Sequence, residues 1–443
     1  MRLTTELSAG LERRVRERLD ARLSRDAAAP IALALSGGGD SMALLLIAAR
    51  WATERGRPLL ALTVDHRLNP ESVAWTRFAA EAARSAGALW RGLSWDGLKP
   101  TAGLTAAARA ARHRLVSEAA REAGARVVLF AHTADDIAEA DWMRARGTTL
   151  GRLREWSPSP AWPEGRGLML LRPLLAERRA ELRNWLDGLG ARWIEDPANA
   201  DPRFGRSRAR IALAGAAAGS GHEAPAAAPW WSPEPGVLQV ERGVDGRTLA
   251  AALVCAGGGA RPPRGDRLAT LLQRLRGGEA FAATLAGARL EAGGDVVQVM
   301  REAGEMRRRP IAPLRLEAGR AAVWDGRFVF TAAEPGWTVA PALGRMGALS
   351  PPDRTILHRR PAAARAAAPV LIRDGGDGPV LADGRVATRD LATERLALAL
   401  DETTHEDDLT RARWRNAVER PIFTGKTSRP AAGFGASDDR GPL

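Results

Sequence analysis

A doubly wound parallel α/β sheet followed by smaller α+β modules is the architecture this sequence predicts, on three observations. Short apolar runs alternate with helix-length segments from residue 31 to about residue 140. A glycine triplet, Gly37-Gly38-Gly39, separates the first apolar run from the next helix. Beyond about residue 230 the pattern changes to short strand candidates punctuated by Gly and Pro.

Leu7, Leu11, Val15, Leu19 and Leu23 recur at helical spacing among charges, which predicts an amphipathic leading helix. Residues 31–35 and 59–64 read as strands, 42–50 and 72–86 as the helices that follow them. A weaker strand at 88–93, a long Ala/Arg helix at 104–123, a strand at 127–131 and a helix from Ala134 continue the alternation. Ligands of such sheets lie beyond the carboxyl ends of the strands, so the residues after Leu35, Val64 and Ala131 carry most weight. Residues 212–229 read as an Ala/Gly/Pro-rich linker. Strands at 237–240 and 296–299 and a helix at 267–275 follow; 323–330 and short Gly/Pro-punctuated runs to about residue 400 suggest a small strand-containing module, and the end after Pro430 reads as frayed. The expected division is 1–215, 216–305 and 306–443.

The 443 residues carry 65 Lys+Arg against 52 Asp+Glu, a formal net charge of +13, so a polyanion such as nucleic acid is the first partner to test. Only Lys99 and Lys426 are lysines and tyrosine is absent, which equally suits biased genomic base composition. The single cysteine, Cys255, excludes an intramolecular disulfide, a Cys-rich zinc site, an iron–sulfur cluster held by this chain alone and a two-cysteine sulfur relay. Such usage predicts a reducing cytoplasm. No stretch approaches the ~20 apolar residues of a membrane span, and the first residues lack an apolar signal core.

Ser36, Gly37, Gly38, Gly39, Asp40 and Ser41 lie between a strand and a helix start. Glycines let backbone N–H groups approach an anion, and the helix N-terminus adds partial positive charge. The loop lacks the Lys-Ser/Thr of a Walker sequence and the spaced glycines of a dinucleotide fingerprint. A plain turn capped by Asp40 or Ser41 is the alternative. Within a phosphate loop, Asp40 requires Mg²⁺ or a cationic partner. The loop resembles the PP-loop of N-type ATP pyrophosphatases, with the adenine nucleotide α-hydrolase-like fold, and the stretches after it resemble tRNA(Ile)-lysidine synthases.

Val64-Asp65-His66-Arg67-Leu68 resembles that family's Val-Asp-His-Gly-Leu segment and would contact base or ribose. His132, Asp135, Asp136 and Glu139 fall at i, i+3, i+4 and i+7, one helix face if the segment is helical; a capping box between Thr133 and Asp136 is compatible. The stretch resembles His-x-x-Asp-Asp-Gln-Ala-Glu-Thr, with Ile137 and Ala140 in the Gln and Thr places. The segment after Met143 is one residue shorter than the family's. Arg109 and Arg112 resemble the Ala-Arg-x-x-Arg-Tyr helix, with His113 in the Tyr place, and suit either phosphate or a solvated face. Leu171-Arg172-Pro173-Leu174-Leu175, Arg178, residues 193–201 and residues 204–210 complete the resemblance.

Between residues 141 and 210 stand 14 arginines and 9 acidic residues, and Arg206, Arg208 and Arg210 alternate as a phosphate-contacting strip. Trp156, Trp162, Trp185 and Trp193 suit either base stacking or the core.

The resemblance implies ATP-dependent joining of free L-lysine to C2 of the wobble cytidine of tRNA(Ile) with a CAU anticodon, through an adenylated cytidine. It implies that residues 36–41 cradle phosphate and that Asp40 places Mg²⁺. Asp136 and Glu139 would hold or deprotonate the lysine amine, while His132 and Arg112 steady the adenylated base. Asp65 and His66 belong to the nucleotide site; Arg109, Arg206, Arg208 and Arg210 belong to the tRNA contact. A homodimer is compatible with it. The rivals are a tRNA 2-thiolase, which ordinarily needs cysteine pairs or a cluster, a PP-loop amidotransferase, which lacks its N-terminal Cys glutaminase here, and a basic RNA-binding protein with a vestigial nucleotide site.

Overall fold

The computed structural model describes residues 2–148, 151–197, 205–213, 228–263, 266–400 and 402–410. Most of the expected linker, motif residues 198–201 and 204, and the terminal segment lie outside them.

The first helix, α1 (Arg2–Arg22), buries Leu11, Val15 and Leu19, with Leu23 just beyond its end, because four-residue spacing puts them on one stripe. Then follow β1 (Ile31–Ala34), α2 (Gly39–Glu54), β2 (Leu59–Asp65), α3 (Ser72–Ser85), β3 (Leu89–Ser94), α4 (Leu104–Glu122), β4 (Val127–Leu129) and α5 (Ala134–Arg144). The unit closes with β5 (Trp156–Pro158), β6 (Met169–Leu171), α6 (Arg179–Gly188) and α7 (Gly205–Ala212).

Its six strands run in the order β3-β2-β1-β4-β6-β5. All neighbours are parallel except the edge strand β5, with Ile31 opposite Leu59 and Ala32 opposite Val128. Alternate residues enter opposite cores. Ile31, Leu33, Leu59, Ala61, Val127 and Leu129 pack with α1, α2 and α6, whereas Ala32, Leu60, Leu62 and Val128 pack with Val116, Ala119 and Ala120 of α4. Burial on both faces is why these strands read as unbroken apolar runs. The chain leaves β1 for β2 on one side and reaches β4 on the other, which opens a crevice at the carboxyl ends of β1 and β4.

The next sheet is antiparallel, built from Trp230–Glu234, Val237–Glu241, Val296–Arg301, Ala288–Ala292 and Phe281–Leu285, with the helix Gly246–Ala256 packed on its core face. Two small sheets follow. The run at 323–330, expected within a strand-containing module, spans a hairpin of Ala322–Trp324 and Phe328–Ala332. Asp325 and Gly326 both take positive φ, 51° and 63°, and reverse the chain there. The last described helix, Leu391–Ala399, returns across the molecule: Leu396 and Leu400 join the core of the middle sheet, and Leu398 that of the first unit. Residues after it dock on the first unit, where Thr403 Oγ1 accepts from Trp156 Nε1 at 3.3 Å and Glu406 forms a buried ion pair with Arg57.

Candidate active site

The glycine loop is held from behind by a later segment. Ile194 N–H donates to the Gly37 carbonyl at 2.9 Å, and Gly37 has φ +83°, where a Cβ would lie 2.5 Å from Ile194 Cδ1. Backbone conformation and crowding therefore both require glycine at 37. Neither side chain expected to cap the helix does so. Ser41 Oγ donates to the Gly38 carbonyl at 2.9 Å and lies 3.0 Å from Ser36 Oγ, while Asp40 turns to Arg179. Met42 N–H makes the first helical bond, to the Gly38 carbonyl, which leaves the N–H groups of the first turn of α2 without partners inside the helix.

Across the crevice, Thr133 caps α5. Its N–H and hydroxyl lie 2.9 and 3.0 Å from Asp136 Oδ2. Asp136 Oδ1 accepts from Arg206 Nη1 at 2.9 Å. Glu139 Oε1 accepts from Arg179 Nη1 at 3.0 Å and from Arg210 Nε at 2.7 Å, whereas its buried Oε2 has no hydrogen-bond partner. The four residues expected on one face divide. His132 precedes the helix, and Asp135 is diverted to Arg178, 3.0 Å from its Nη2, and to the Arg179 backbone N–H at 2.7 Å.

Arg179 joins the two sides of the crevice. Its Nε donates to Asp40 Oδ2 at 3.1 Å while Nη1 reaches Glu139 and Nη2 lies 3.7 Å from Asp136. Burial pushes the Asp40 carboxyl upward against the pull of Arg179. Arg179 had no place among the expected site residues. Its signal in the sequence is that Arg178 and Arg179 open α6, where the helix dipole disfavours cations unless acidic groups answer them.

Arg206, Arg208 and Arg210 do not form the expected strip. They lie on the helix α7, so Arg206 and Arg210, four apart, share the face that meets the carboxylates, and Arg208 sits exposed on another. Arg109 and Arg112 lie near Arg206, and mutual repulsion adds to burial in lowering both, Arg112 to about 10. Arg112 Nε is buried without a partner. Clustered guanidinia short of counter-charge favour an anion.

Burial, reinforced by nearby cations, lowers His66, His113 and His132 from the ordinary imidazole range. His66 meets Trp95 edge-on at 6.0 Å, and its buried Nδ1 has no partner. His113 stacks on Phe130 (5.1 Å), which stacks on His132 (5.9 Å). Asp65 shapes its own loop: its Oδ1 accepts from the Arg67 N–H at 2.7 Å, supporting Arg67 at φ 52°.

Of the four tryptophans, two belong to the core and two are half-buried. Trp156 and Trp185 are buried, Trp162 Nε1 donates to the Gly326 carbonyl at 2.9 Å, and Trp193 lies 3.5 Å from where a Cβ on Gly39 would stand. Among the described residues no group of three or more His, Cys, Asp or Glu is arranged to hold a metal, and no helix is long and apolar enough to cross a membrane.

The PP-loop domain family matches residues 11–216. A tRNA(Ile)-lysidine synthase of Caulobacter vibrioides is 46% identical over 403 residues, 87% of this chain and 97% of that protein. The chain belongs to the tRNA(Ile)-lysidine synthase family. Another synthase of that name, from Brucella anthropi, is 34% identical over 67% of this chain and 73% of its own length. A solved U34-tRNA thiolase of Methanococcus maripaludis with its [4Fe-4S] cluster aligns with a TM-score of 0.39 and 17% identity, over 47% of this chain and 72% of that one.

As a lysidine synthase family member, this chain places its departures from the motifs at definable points. Arg67 stands where the family motif has Gly, and its positive φ is the conformation that glycine accommodates. His113, in the Tyr place, is stacked on Phe130. Ala140 is buried and Ile137 half-buried on α5, while Asp136 and Glu139 retain their polar contacts. Family membership brings with it the use of ATP.

Proposed function

We propose that this chain ligates free L-lysine to C2 of the wobble cytidine in the CAU anticodon of tRNA(Ile), which changes codon reading from AUG to AUA. The observation that carries the reading is the Arg179 bridge: one guanidinium spans a phosphate-type loop and the Glu139 carboxylate on the facing helix. Both half-reactions thereby have their charged groups in one crevice.

The C2 carbonyl oxygen is a poor leaving group. Its attack on the α-phosphate of ATP expels pyrophosphate and creates an adenylate that later departs as AMP. The loop N–H groups of residues 36–41 receive phosphate. Arg109 and Arg112 answer the charge on the adenylated cytidine, with His66 beside the nucleotide and Asp65 supporting its loop. Asp40 Oδ1 carries no hydrogen bond among the described residues. One such carboxylate fits Mg²⁺ that also takes phosphate oxygens and water, not a cage made by the protein alone. When bound, that ion neutralises charge on the leaving pyrophosphate.

The lysine ammonium must lose a proton before it attacks. Glu139 Oε2, buried, accepting no hydrogen bond and 3.8 Å from Arg206 Nη1, is the acceptor for it, with Asp136 alongside. Arg206 and Arg210 hold these carboxylates and yield to the amine, whereas Arg208 and the modules 216–305 and 306–443 hold tRNA, leaving 1–215 for catalysis. Sulfur transfer lacks support, because the single cysteine, Cys255, is buried in the middle module and its thiol is pushed up to about 12 by burial. Cytoplasmic residence belongs to the same reading, and a homodimer is the assembly to test by light scattering.

Incubation with ATP, Mg²⁺, labelled lysine and tRNA(Ile) bearing CAU tests the proposal. Label enters the RNA in step with AMP release; AMP release without label in the RNA rejects lysine as the nucleophile.

A further inference from the structure

We propose that Arg172 is a positioning residue that locks His132 as a hydrogen-bond donor toward the cytidine and phosphate of the reacting centre; the second half of this statement rests on the function proposed above. Arg172 follows β6, is 5% exposed, and donates from Nε to His132 Nδ1 at 3.2 Å. Its Nη1 is anchored on the Arg154 carbonyl at 2.7 Å and on Ser157 Oγ at 2.9 Å, so the guanidinium cannot swing away without breaking two further bonds. A guanidinium has donors and no acceptor. Nδ1 must therefore carry the lone pair.

The ring is neutral, because it is buried and ringed by cations: Arg172 after β6, Arg109 and Arg112 with neutral His113 on α4, and Arg206 on α7. Asp136 on α5 is the nearby acid, and it is bound to Thr133 and Arg206. A neutral imidazole with its Nδ1 lone pair engaged has its proton on Nε2. Nε2 has no hydrogen-bond partner among the described residues, and stacking on Phe130 sets the tilt of the ring.

His132 thus presents an N–H and no lone pair. It can donate to the C2 oxygen or to a phosphate oxygen as charge develops there, and it cannot take the proton from the lysine ammonium. Deprotonation falls to the carboxylate side of the crevice, where Glu139 Oε2 accepts no hydrogen bond.

The test begins with the full chain labelled with ¹⁵N-histidine, in which long-range proton–nitrogen correlations report the tautomer without any substrate. His132 is expected as the Nε2–H tautomer, unchanged through the pH range in which imidazoles ordinarily titrate. Arg172→Met should admit the Nδ1–H tautomer and an acid titration, and lower kcat for tRNA-dependent AMP release at least about tenfold with KM for ATP within about twofold. Arg172→Lys, which keeps a donor, should restore the Nε2–H signal. An Nδ1–H tautomer in the unsubstituted protein overturns the proposal, as does an Arg172→Met protein with the tautomer and pH profile unmoved. A correct tautomer in a protein that never labels tRNA with lysine rejects the function while leaving the Arg172–His132 relation intact.

Discussion

Arg179 and Asp40, 139 positions apart, are joined by a hydrogen bond of 3.1 Å, and the same guanidinium holds Glu139 at 3.0 Å. Three carboxylates from two elements are thereby gathered around one cation. Replacing it with an apolar side chain leaves buried negative charge facing negative charge. Arg179→Met is expected to destabilise the protein by about 3 kcal/mol, at the low end for a broken buried pair, and to abolish tRNA-dependent pyrophosphate release. Urea unfolding and a pyrophosphate assay read the two effects; full activity in this variant rules out the bridge as a functional element.

Gly37→Ala tests the loop alone. The added Cβ meets Ile194 Cδ1 in a backbone conformation with φ +83°, so the loop must shift or the Ile194 contact must break. The cost is about 1–3 kcal/mol. Loss of ATP binding, measured by equilibrium titration with the nucleotide, should exceed the loss of tRNA binding.

A pH-dependent prediction arises at Glu177. Burial raises its carboxyl, yet hydrogen bonds from Arg14 and Arg18 outweigh burial and hold it below the usual glutamate range. A depressed carboxyl contributes stability above its unfolded pKa, and that stability is lost as pH falls through the lowered folded value. Glu177→Gln should therefore cost about 1–3 kcal/mol near neutrality, with the difference from the unsubstituted protein closing below about pH 4. The Glu177 carbonyl accepts from Ala134 N–H at 2.9 Å, so the backbone support of α5 survives the substitution. An unfolding difference that stays constant with pH contradicts this account.

Arg57 and Glu406, 1% and 2% exposed, fasten the end of the described chain to the first unit, and Glu406 Oε2 also accepts from Ser24 N–H at 3.0 Å. Glu406→Ala strands a buried guanidinium and is expected to cost about 3–5 kcal/mol. Limited proteolysis should then cut first near residues 400–410, and protection equal to that of the unsubstituted protein argues against the clamp.

Much of the first unit is legible in the sequence itself. Leu11, Val15 and Leu19 announce a helix with one buried stripe, and Ile31, Leu33 and Ala32 behave as a strand covered on both faces. Thr133 and Asp136 form the capping box their spacing suggested. Residues 323–330 suggest strand, and the reversal at Asp325-Gly326 that makes them a hairpin shows only in the backbone, because apolar residues flank it on both sides. Arg179 escapes the sequence reading because a cation at the start of α6 becomes a signal only once that helix boundary is known.

The sequence by itself determined the parallel sheet and the glycine loop at its first carboxyl end, since periodicity and spacing are local properties, and its motifs carried the resemblance to a tRNA-modifying family. Only the tertiary structure decided which charges meet. Arg206 and Arg210 turn inward to Asp136 and Glu139, Arg172 turns to His132, and the helix Leu391–Ala399 returns to close two cores. Those pairings join residues about 40 or more positions apart, and they exist because burial makes an uncompensated charge more costly than ordering its distant partner.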